Sequence, residues 1–426
     1  MISLDDLGLP ALKSRAYARI LAGAFVSNVG TWMETLTVGV IVTEATGKAG
    51  WTGTFAALAY APTIFLSALG GVAADRLNRR TLIVRLLGVQ TLIAACLAGL
   101  AFTHTLYLPA LALLLFADGC ADALLNPAFS ATVAELVPGE HLLSARSLTS
   151  AQFNLARMTG PMIAAFILAV THHAGWVFLL NTLSFLAVIA PIAALSLKGP
   201  EPRIERGGIL ADIKAGIGAA RNDPGIAWPL MMTFAIAVLV APFIGLAPAY
   251  AIKVFGVSAG GASLLMGCQG LGAMVAALFA ARLASRWGRR RLLERSAMAL
   301  GPIAAAYWLA PALPLAAIAI FVLGGLYMTT LTSLSTSVLL RAPRRLQGRI
   351  TSLYSLLLGS GYASGLVWQG WAGDHLGMRA VSATAGAVFA IAALVLVRRG
   401  AFSTIEGPAL DTGGGPLAVA LQSPAK

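Results

Sequence analysis

The sequence is poor in charge, and this excludes a water-soluble fold. Only 11% of its 426 residues are charged, whereas 58% are hydrophobic, and a soluble domain carries about a quarter charged residues. One soluble core could not bury so much apolar surface, so most of it must face lipid. Cysteine is also scarce. Cys96, Cys120 and Cys268 lie in separate apolar runs without paired or metal-like spacing, which favours a packing role.

Signatures of several function classes are missing as well. The sequence has no Walker loop, so ATP is not expected to drive this chain by itself. No catalytic constellation, cofactor motif or metal site is indicated, and we do not expect an enzyme. The net charge is +13, but the basic residues lie in gaps between apolar runs, which is typical of a membrane protein and does not indicate nucleic-acid binding. The first residues have no secretory signal pattern.

Long apolar runs are the dominant feature, and their lengths predict membrane-spanning helices. We predict twelve spans, at residues 19–44, 52–74, 82–103, 107–134, 147–171, 176–197, 226–251, 259–284, 292–310, 315–340, 348–371 and 379–397. The corresponding organisation is a cytoplasmic N-terminal segment (1–18), an N-terminal six-helix bundle (19–197), a cytoplasmic linker with a candidate surface helix (198–225), a C-terminal six-helix bundle (226–397) and a flexible cytoplasmic tail (398–426).

The basic residues predict the topology. All but four of the 30 lysines and arginines fall before the first span, in alternate gaps or in the tail. Lys48, Lys253 and Arg379 lie in the remaining gaps, and Arg157 lies within a span. By the positive-inside rule this places both termini in the cytoplasm of a multi-pass protein in the inner or plasma membrane.

A repeat relates the two sets of six spans. The stretch "AADRLNRRTL", which ends at Leu82, aligns with "LASRWGRRRL", which ends at Leu292. A second match, between spans four and five of each set, places Arg146 on Arg349. The repeat predicts an all-α membrane protein whose two six-helix bundles are related by a pseudo-twofold axis along the membrane normal.

The first of these stretches resembles the signature of the major facilitator superfamily, which is roughly G-x-x-x-D-R-x-G-R-R. Asn78 stands where the signature has glycine, a mild departure because asparagine is the next best residue for a left-handed turn. The segments "SNVGTWME", "ALLNPAFSATVAELVP" and "QFNLARMTGP" are similar to the branch that contains the enterobactin exporter and related efflux proteins. The matching signature residues are Gly71, Asp75, Arg76, Arg79 and Arg80.

The resemblance implies a conformational latch on the cytoplasmic side. Asp75 ends the second span and would contact the positive end of a helix in the other half, together with an arginine such as Arg349. The latch would favour the outward-open state, and the signature residues and Arg146 belong to it. Alternatively, the basic residues serve only topology, although a topology signal needs no acid.

Span five resembles the efflux motif of the superfamily. Small residues occupy the glycine positions of the motif, and Gly160 and Pro161 supply its Gly-Pro pair. Small residues allow close helix approach and Gly-Pro allows a bend, so we interpret this pair as a hinge, with ordinary membrane packing as the alternative. The motif favours export.

Four ionisable residues within spans are candidates for the cavity and for proton coupling: Glu34, Asp118, Asp122 and Arg157. Such residues are costly in hydrocarbon, at roughly 2.5–3.5 kcal/mol each at a helix centre, so we expect them to face a central cavity. Asp118 and Asp122 share one helix face. Protonation of one, or a partner such as Arg157, would relieve their repulsion. A structural pair is the alternative.

These features favour a secondary active transporter that exports a small amphipathic molecule, drug-like or a siderophore, in exchange for protons. The expected partners are this substrate, the proton and the bilayer, and the chain would act as a monomer without a cofactor. An importer of a nutrient or metabolite is the alternative transport function. A membrane sensor or scaffold on the same fold is the alternative from another class, which the four ionisable residues disfavour.

Overall fold

The computed structural model describes residues 10–195, 209–343 and 346–405, except for the side chains of Ala68, Asp75, residues 209–215, Ala281 and Ile405. Within this part the fold consists of α-helices joined by short turns, without a strand. The helices are α1 (Arg15–Thr46), α2 (Ala49–Arg76), α3 (Arg79–Phe102), α4 (Leu108–Glu135), α5 (Leu142–Thr171), α6 (Ala174–Ala193), α7 (Ile209–Asn222), α8 (Pro224–Leu239), α9 (Ala247–Phe255), α10 (Ala259–Trp287), α11 (Arg289–Leu309), α12 (Leu313–Arg341), α13 (Gln347–Leu376) and α14 (Met378–Arg398).

Ten of the described helices are long and apolar enough to span a membrane. Together with α2 and α11, which pack among them, they agree in number with the twelve predicted spans. The all-α membrane architecture predicted from composition is confirmed.

The packing follows the same pattern in both halves. In the first half α1 packs on α5 and α6, α2 on α4, and α3 on α6; in the second half α8 packs on α13 and α14, α10 on α12, and α11 on α14. The halves meet along α2 with α13 and along α5 with α10. Helix α10 occupies the place of α2 in the second half, and α13 occupies the place of α5. A pseudo-twofold rotation that exchanges the two halves therefore converts one of these interfaces into the other.

The two ends of the bundle differ in charge. We call the end that carries Arg79, Arg146, Arg289 and Arg349 the basic face, and the end that carries the turns 46–49, 103–108 and 376–378 the opposite face. The sequence predicts that the basic face is the cytoplasmic one.

The turns of the basic face differ between the halves. Gly288, between α10 and α11, has φ +79°, a conformation that favours glycine. Asn78, its counterpart, has φ −62° and instead caps α3, where its side chain accepts a hydrogen bond from the Thr81 backbone N–H at 3.1 Å. The expectation that Asn78 adopts a left-handed turn is therefore wrong.

The seventh span is interrupted. A continuous helix over residues 226–251 was expected, but α8 ends at Leu239, a 3-10 turn covers Ala241–Phe243, and α9 begins at Ala247. Proline lacks an amide donor, and Pro242 lies in the 3-10 turn while Pro248 lies in the first turn of α9. The break lets backbone near Gly245 approach α13, where an added Cβ would come within 2.6 Å of Leu366.

Two short segments pack at the basic face of the second half. The candidate surface helix is present as α7, which packs on α13 and α8. Residues Ala401–Ile405 form a 3-10 turn in which Phe402 is fully buried, and the Thr404 hydroxyl accepts a hydrogen bond from Trp228 at 2.8 Å. The tail was predicted to be flexible, but residues 401–405 pack against α8, which corrects that prediction for this segment. Residues 1–9, 196–208 and 406–426 lie outside the described part.

Candidate functional site: a cavity between the two halves

A cavity of about 830 Å³ lies at the centre of the bundle. Most of its wall comes from α1, α2, α4 and α5 of the first half. The second half contributes Ile244, Gly245, Pro248, Met266 and Tyr362. The break in the seventh span therefore helps to shape one side of the cavity.

The cavity opens towards the basic face. At that end it is lined by exposed residues of α4 and α5, among them Ser130, Ala134 and Arg146. At its other end the lining residues Gly39, Thr52 and Phe55 are buried. The structure thus has a funnel that is open to the basic face and stops before the opposite face.

Three of the four ionisable residues expected at the cavity line it. Glu34 comes from α1, and Asp118 and Asp122 come from one face of α4. The Glu34 carboxylate accepts a hydrogen bond from Asn181 at 2.7 Å, and Asp122 accepts one from Asn126 at 2.7 Å. Glu34 interacts electrostatically with Asp118. The cavity wall therefore holds three acids, one from α1 and two from α4.

Arg157 lies apart from these acids. It is 9% exposed, and its guanidinium lies 4.9 Å from the centre of the Trp32 ring, in a cation–π contact. Its Nη2 atom has no hydrogen-bond partner, and it forms no ion pair with Asp118 or Asp122. The structure does not bring Arg157 to the two aspartates.

Gln90 is a cavity residue that the sequence reasoning missed. It comes from α3, is 5% exposed and lies beside Asp118. Its Oε1 atom has no hydrogen-bond partner, although nearly all buried polar atoms in proteins have one. A lone glutamine in an apolar run was the available signal, but the sequence does not show which way the side chain points.

A polar contact between the halves closes the opposite face. The Asp374 carboxylate, at the end of α13, accepts hydrogen bonds from the backbone N–H groups of Ala49 at 2.9 Å and Gly50 at 2.7 Å. These groups begin α2, where a carboxylate is favoured by the helix dipole. Lys253, at the end of α9, forms a salt bridge with the same carboxylate. We call these four residues the Asp374 clasp.

Aromatic and backbone packing surround the clasp. Trp371 contacts Trp51 with ring centres 5.5 Å apart and donates a hydrogen bond to Thr54 at 3.1 Å. An added Cβ at Gly53 would lie 2.2 Å from the Leu366 carbonyl oxygen, so α2 and α13 are in direct backbone contact there. The sequence reasoning missed this closure. The available signal was that Asp374 lies beside a gap on the side of the membrane where the sequence has few charged residues.

The latch residues at the basic face are only partly described. The Asp75 side chain, for which the resemblance predicts a contact with the other half, lies outside the described part. Arg79 donates hydrogen bonds to the Ala74 carbonyl at 3.0 Å and to Glu135 at 3.2 Å, both within the first half. Arg76 and Arg80 are exposed. An added Cβ at Gly71 would meet no atom within 4 Å.

The predicted hinge residues serve close packing. An added Cβ at Gly160 would lie 2.7 Å from both the Val29 carbonyl oxygen and the Trp32 Cβ atom. Helix α5 runs without interruption through Pro161. The small residue at position 160 thus lets α5 contact the backbone of α1 directly behind the cavity.

Comparisons with known proteins agree with this architecture. Residues 8–410 match the family MFS_3, described as transmembrane secretion effector. The uncharacterised MFS-type transporter YhjO of Bacillus subtilis (strain 168) is 30% identical over 139 residues, which is 33% of each chain. The match spans about a third of that relative.

Solved transporter structures share the fold. A POT family transporter in complex with a thioalcohol-conjugated peptide superposes with a TM-score of 0.72 at 14% identity, over 92% of this chain and 97% of that one. An inward-facing, unoccupied bacterial homologue of the human lysosomal transporter Spinster gives a TM-score of 0.69 at 14% identity, over 95% and 99% of the two chains. The family match covers nearly the whole sequence, and the packing of its helices is that of these transporters; the chain belongs to the major facilitator superfamily, in the family of transmembrane secretion effectors.

Proposed function

We propose that this transporter exports a small amphipathic molecule from the cytoplasm in exchange for protons, by alternating access. The observation that carries the proposal is the acid-lined cavity, which is open to the basic face and closed at the opposite face by the Asp374 clasp. A cargo from the cytoplasm enters such a funnel directly, because the positive-inside rule places the basic face there.

The clasp gives alternating access a physical basis. In the described state the two halves are held together at the opposite face, and opening that face requires the Asp374 carboxylate to leave the α2 N-terminus. The superfamily latch around Asp75 would then hold the basic face closed, as the resemblance implies. Transport alternates between these two polar contacts, and each stabilises one end of the cycle.

Proton coupling is assigned to the acids of the cavity wall. A charged carboxylate within a membrane span costs free energy when it is poorly solvated. At each step of the cycle Glu34, Asp118 and Asp122 are therefore stabilised either by binding a proton or by pairing with a positively charged group. Proton release to the cytoplasm would follow cargo binding, and protonation from the opposite face would follow cargo release. Arg157 supports the wall through Trp32 and does not carry the proton.

The proposal is tested by accumulation of fluorescent amphiphiles in everted membrane vesicles, whose outer surface is the cytoplasmic one. The probes are one cationic, one neutral and one anionic dye. We expect at least one dye to accumulate when the vesicles are energised, and to leave when an uncoupler is added. Accumulation only in right-side-out vesicles would instead establish import, and transport that persists with the uncoupler would contradict proton coupling.

A further inference from the structure

The turn between α10 and α11, at the basic face, is strongly positive. Residues 282–295 contain six arginines and one acid, a net charge of +5, whereas the matching residues 72–85 of the first half contain four arginines and one acid, a net charge of +3. Topology requires positive charge but not arginine in particular, and residues 282–295 contain no lysine. Arginine is suited to phosphate because its planar guanidinium donates two parallel hydrogen bonds.

The one acid of this turn neutralises only one of its arginines. Glu294 forms a salt bridge with Arg290 at 2.9 Å, one helical turn away. Arg289 and Arg291 are exposed, and neither forms an ion pair with any residue of the part that the structure describes. The turn therefore presents positive charge that its own acid does not compensate.

These charges border a second, smaller cavity of about 380 Å³, which is lined by Trp287, Arg290, Arg291 and Glu294. Arg295 lies beside it, with its guanidinium 4.7 Å from the centre of the Trp287 ring, and this cation–π contact positions both side chains. Trp287 is exposed, and tryptophan is typical of the depth at which lipid headgroups lie. The cavity thus combines positive charge with a residue suited to the membrane interface.

Helix α11 connects this smaller cavity to the lipid-facing surface. A row of exposed residues at helical spacing runs along it, formed by Arg291, Arg295, Met298, Pro302 and Leu309. None of them lines the central cavity, so the row faces lipid. Arg295 follows the first residue of α11 by six positions, which is about 9 Å along the helix axis. A charge that faces lipid at this depth is costly unless an anion compensates it.

The matching turn of the first half lacks this arrangement. By the alignment of the repeat, Leu77 stands in place of Trp287, and Thr81 stands in place of Arg291. The second half in turn has Ser285 where the first has the acid of the predicted latch. The two copies of the motif therefore differ in the residues that an anion site at the membrane interface requires.

We propose that the turn between α10 and α11 binds the headgroup of an anionic phospholipid from the leaflet at the basic face. Arg291 and Arg295 would hold the phosphodiester, and the Trp287 ring would contact the glycerol backbone. One acyl chain would follow the row of exposed residues past Met298 and Pro302. Basic pockets at the cytoplasmic ends of membrane helices suit such headgroups. The lipid would anchor the second half in that leaflet, whatever cargo the central cavity carries.

The test is native mass spectrometry of the detergent-purified full-length protein with phosphatidylglycerol or with phosphatidylcholine of the same acyl chains. Both lipids carry a phosphodiester, but the choline group cancels its charge. We expect the first phosphatidylglycerol to bind about tenfold more tightly than the first phosphatidylcholine. Equal binding of the two lipids would overturn the proposal. Millimolar inorganic phosphate should not release the bound lipid, and release would assign the site to a soluble anion instead.

The double variant Arg291→Gln, Arg295→Gln should reduce the preference for phosphatidylglycerol several-fold, because it removes both charges that would hold the phosphodiester. The matched control is Arg19→Gln, Arg85→Gln, which removes two exposed arginines from the first half, and Arg85 aligns with Arg295 in the repeat. The control should keep the preference. An equal loss in the two double variants would show that the lipid responds only to total charge, and would overturn the site.

Photolabelling locates the lipid in the wild-type protein, and so decides the matter even if the variants do not fold. A phosphatidylglycerol with a diazirine in one acyl chain is bound to the purified protein and irradiated, and the labelled peptides are sequenced. We expect label on α11, between residues 296 and 309. Label that is absent from α11, or that is confined to the matching helix α3, would overturn the proposal.

Discussion

The Asp374 carboxylate accepts a hydrogen bond from the Gly50 backbone N–H at 2.7 Å, and this contact joins the two halves of the transporter. The second oxygen binds the Ala49 N–H, and Lys253 pairs with the same group. The side chain of Asp374 is 8% exposed, so the carboxylate is largely shielded from water. Each charge-assisted hydrogen bond of this kind stabilises by about 1.5–3 kcal/mol.

The clasp predicts the effect of Asp374→Asn. The variant should lose the salt bridge and weaken the hydrogen bonds, which shifts the conformational balance towards opening of the opposite face by about tenfold or more. The measurement is the distance between spin labels at Thr105 and Ala312, both exposed at that face. We expect a new, longer distance population.

Glu44→Gln is the matched control for that experiment. It removes one exposed carboxylate near the end of α1, at the same face, without touching the clasp. A distance distribution of Asp374→Asn identical to that of Glu44→Gln would remove the clasp from the account.

Asp75→Asn should act in the opposite direction. It should insert and fold, but weaken the latch that the superfamily resemblance places at the basic face, and so impair transport. In the double variant with Asp374→Asn the two shifts should partly cancel, because each removes a contact from a different end of the cycle. Normal transport by a normally expressed Asp75→Asn protein would exclude the latch role.

Amide substitution of the cavity acids should separate proton coupling from permeation of the cargo. If Asp118 or Asp122 carries the proton, its amide variant should lose uphill export driven by a pH gradient but still let cargo equilibrate down its own gradient. Both assays are run in the same vesicles, with Glu34→Gln and Arg157→Gln beside them. Glu140→Gln, an exposed acid away from the cavity, is the control that should transport like the parent.

That prediction has a clear opposite outcome. If the variants of Glu34, Asp118, Asp122 and Arg157 all pump uphill at the parental rate, the coupling site lies elsewhere or the driving ion is not a proton.

The variant Gly160→Ala should introduce a packing defect between α5 and α1. The added methyl group would clash with Val29 and Trp32 of α1, and overpacking of this kind destabilises by roughly 1–3 kcal/mol. The measurement is the thermal unfolding midpoint of the purified protein, which should fall. Gly99→Ala is the control, because its added methyl group meets no atom within 4 Å and should leave the midpoint unchanged or raise it slightly. Equal midpoints for the two variants would refute the close contact.

Much of the architecture was predictable because it depends on composition and spacing. Helix positions follow from apolar runs long enough to cross a bilayer, and the pseudo-twofold relation follows from the repeat that places Arg146 on Arg349. The placement of Glu34, Asp118 and Asp122 at the cavity followed from the cost of charge in lipid. None of these inferences requires knowledge of which helices touch.

The remaining features depend on contacts that a single sequence does not encode. Asp374 gains its role from the N-terminus of α2, which is more than three hundred residues away. Arg157 was one of two candidates for relieving the repulsion between the aspartates, but its guanidinium lies against the ring of Trp32 instead. Gln90 is distinguished by an amide oxygen without a hydrogen-bond partner. This feature can be recognised only once the surroundings of the side chain are known.

Proton movement coupled to cargo is the most direct test of the central claim, which is exchange of a cytoplasmic molecule for protons at the acid-lined cavity. The purified protein is reconstituted into liposomes that contain a pH-sensitive dye, and a fluorescent amphiphile that the energised vesicles accumulate is added outside as the probe, without an imposed pH gradient. The account predicts a change of internal pH that requires the probe and is lost in the double variant Asp118→Asn, Asp122→Asn, but retained in Glu140→Gln. Probe uptake without any change of internal pH, or an equal change in the double variant, would contradict the account.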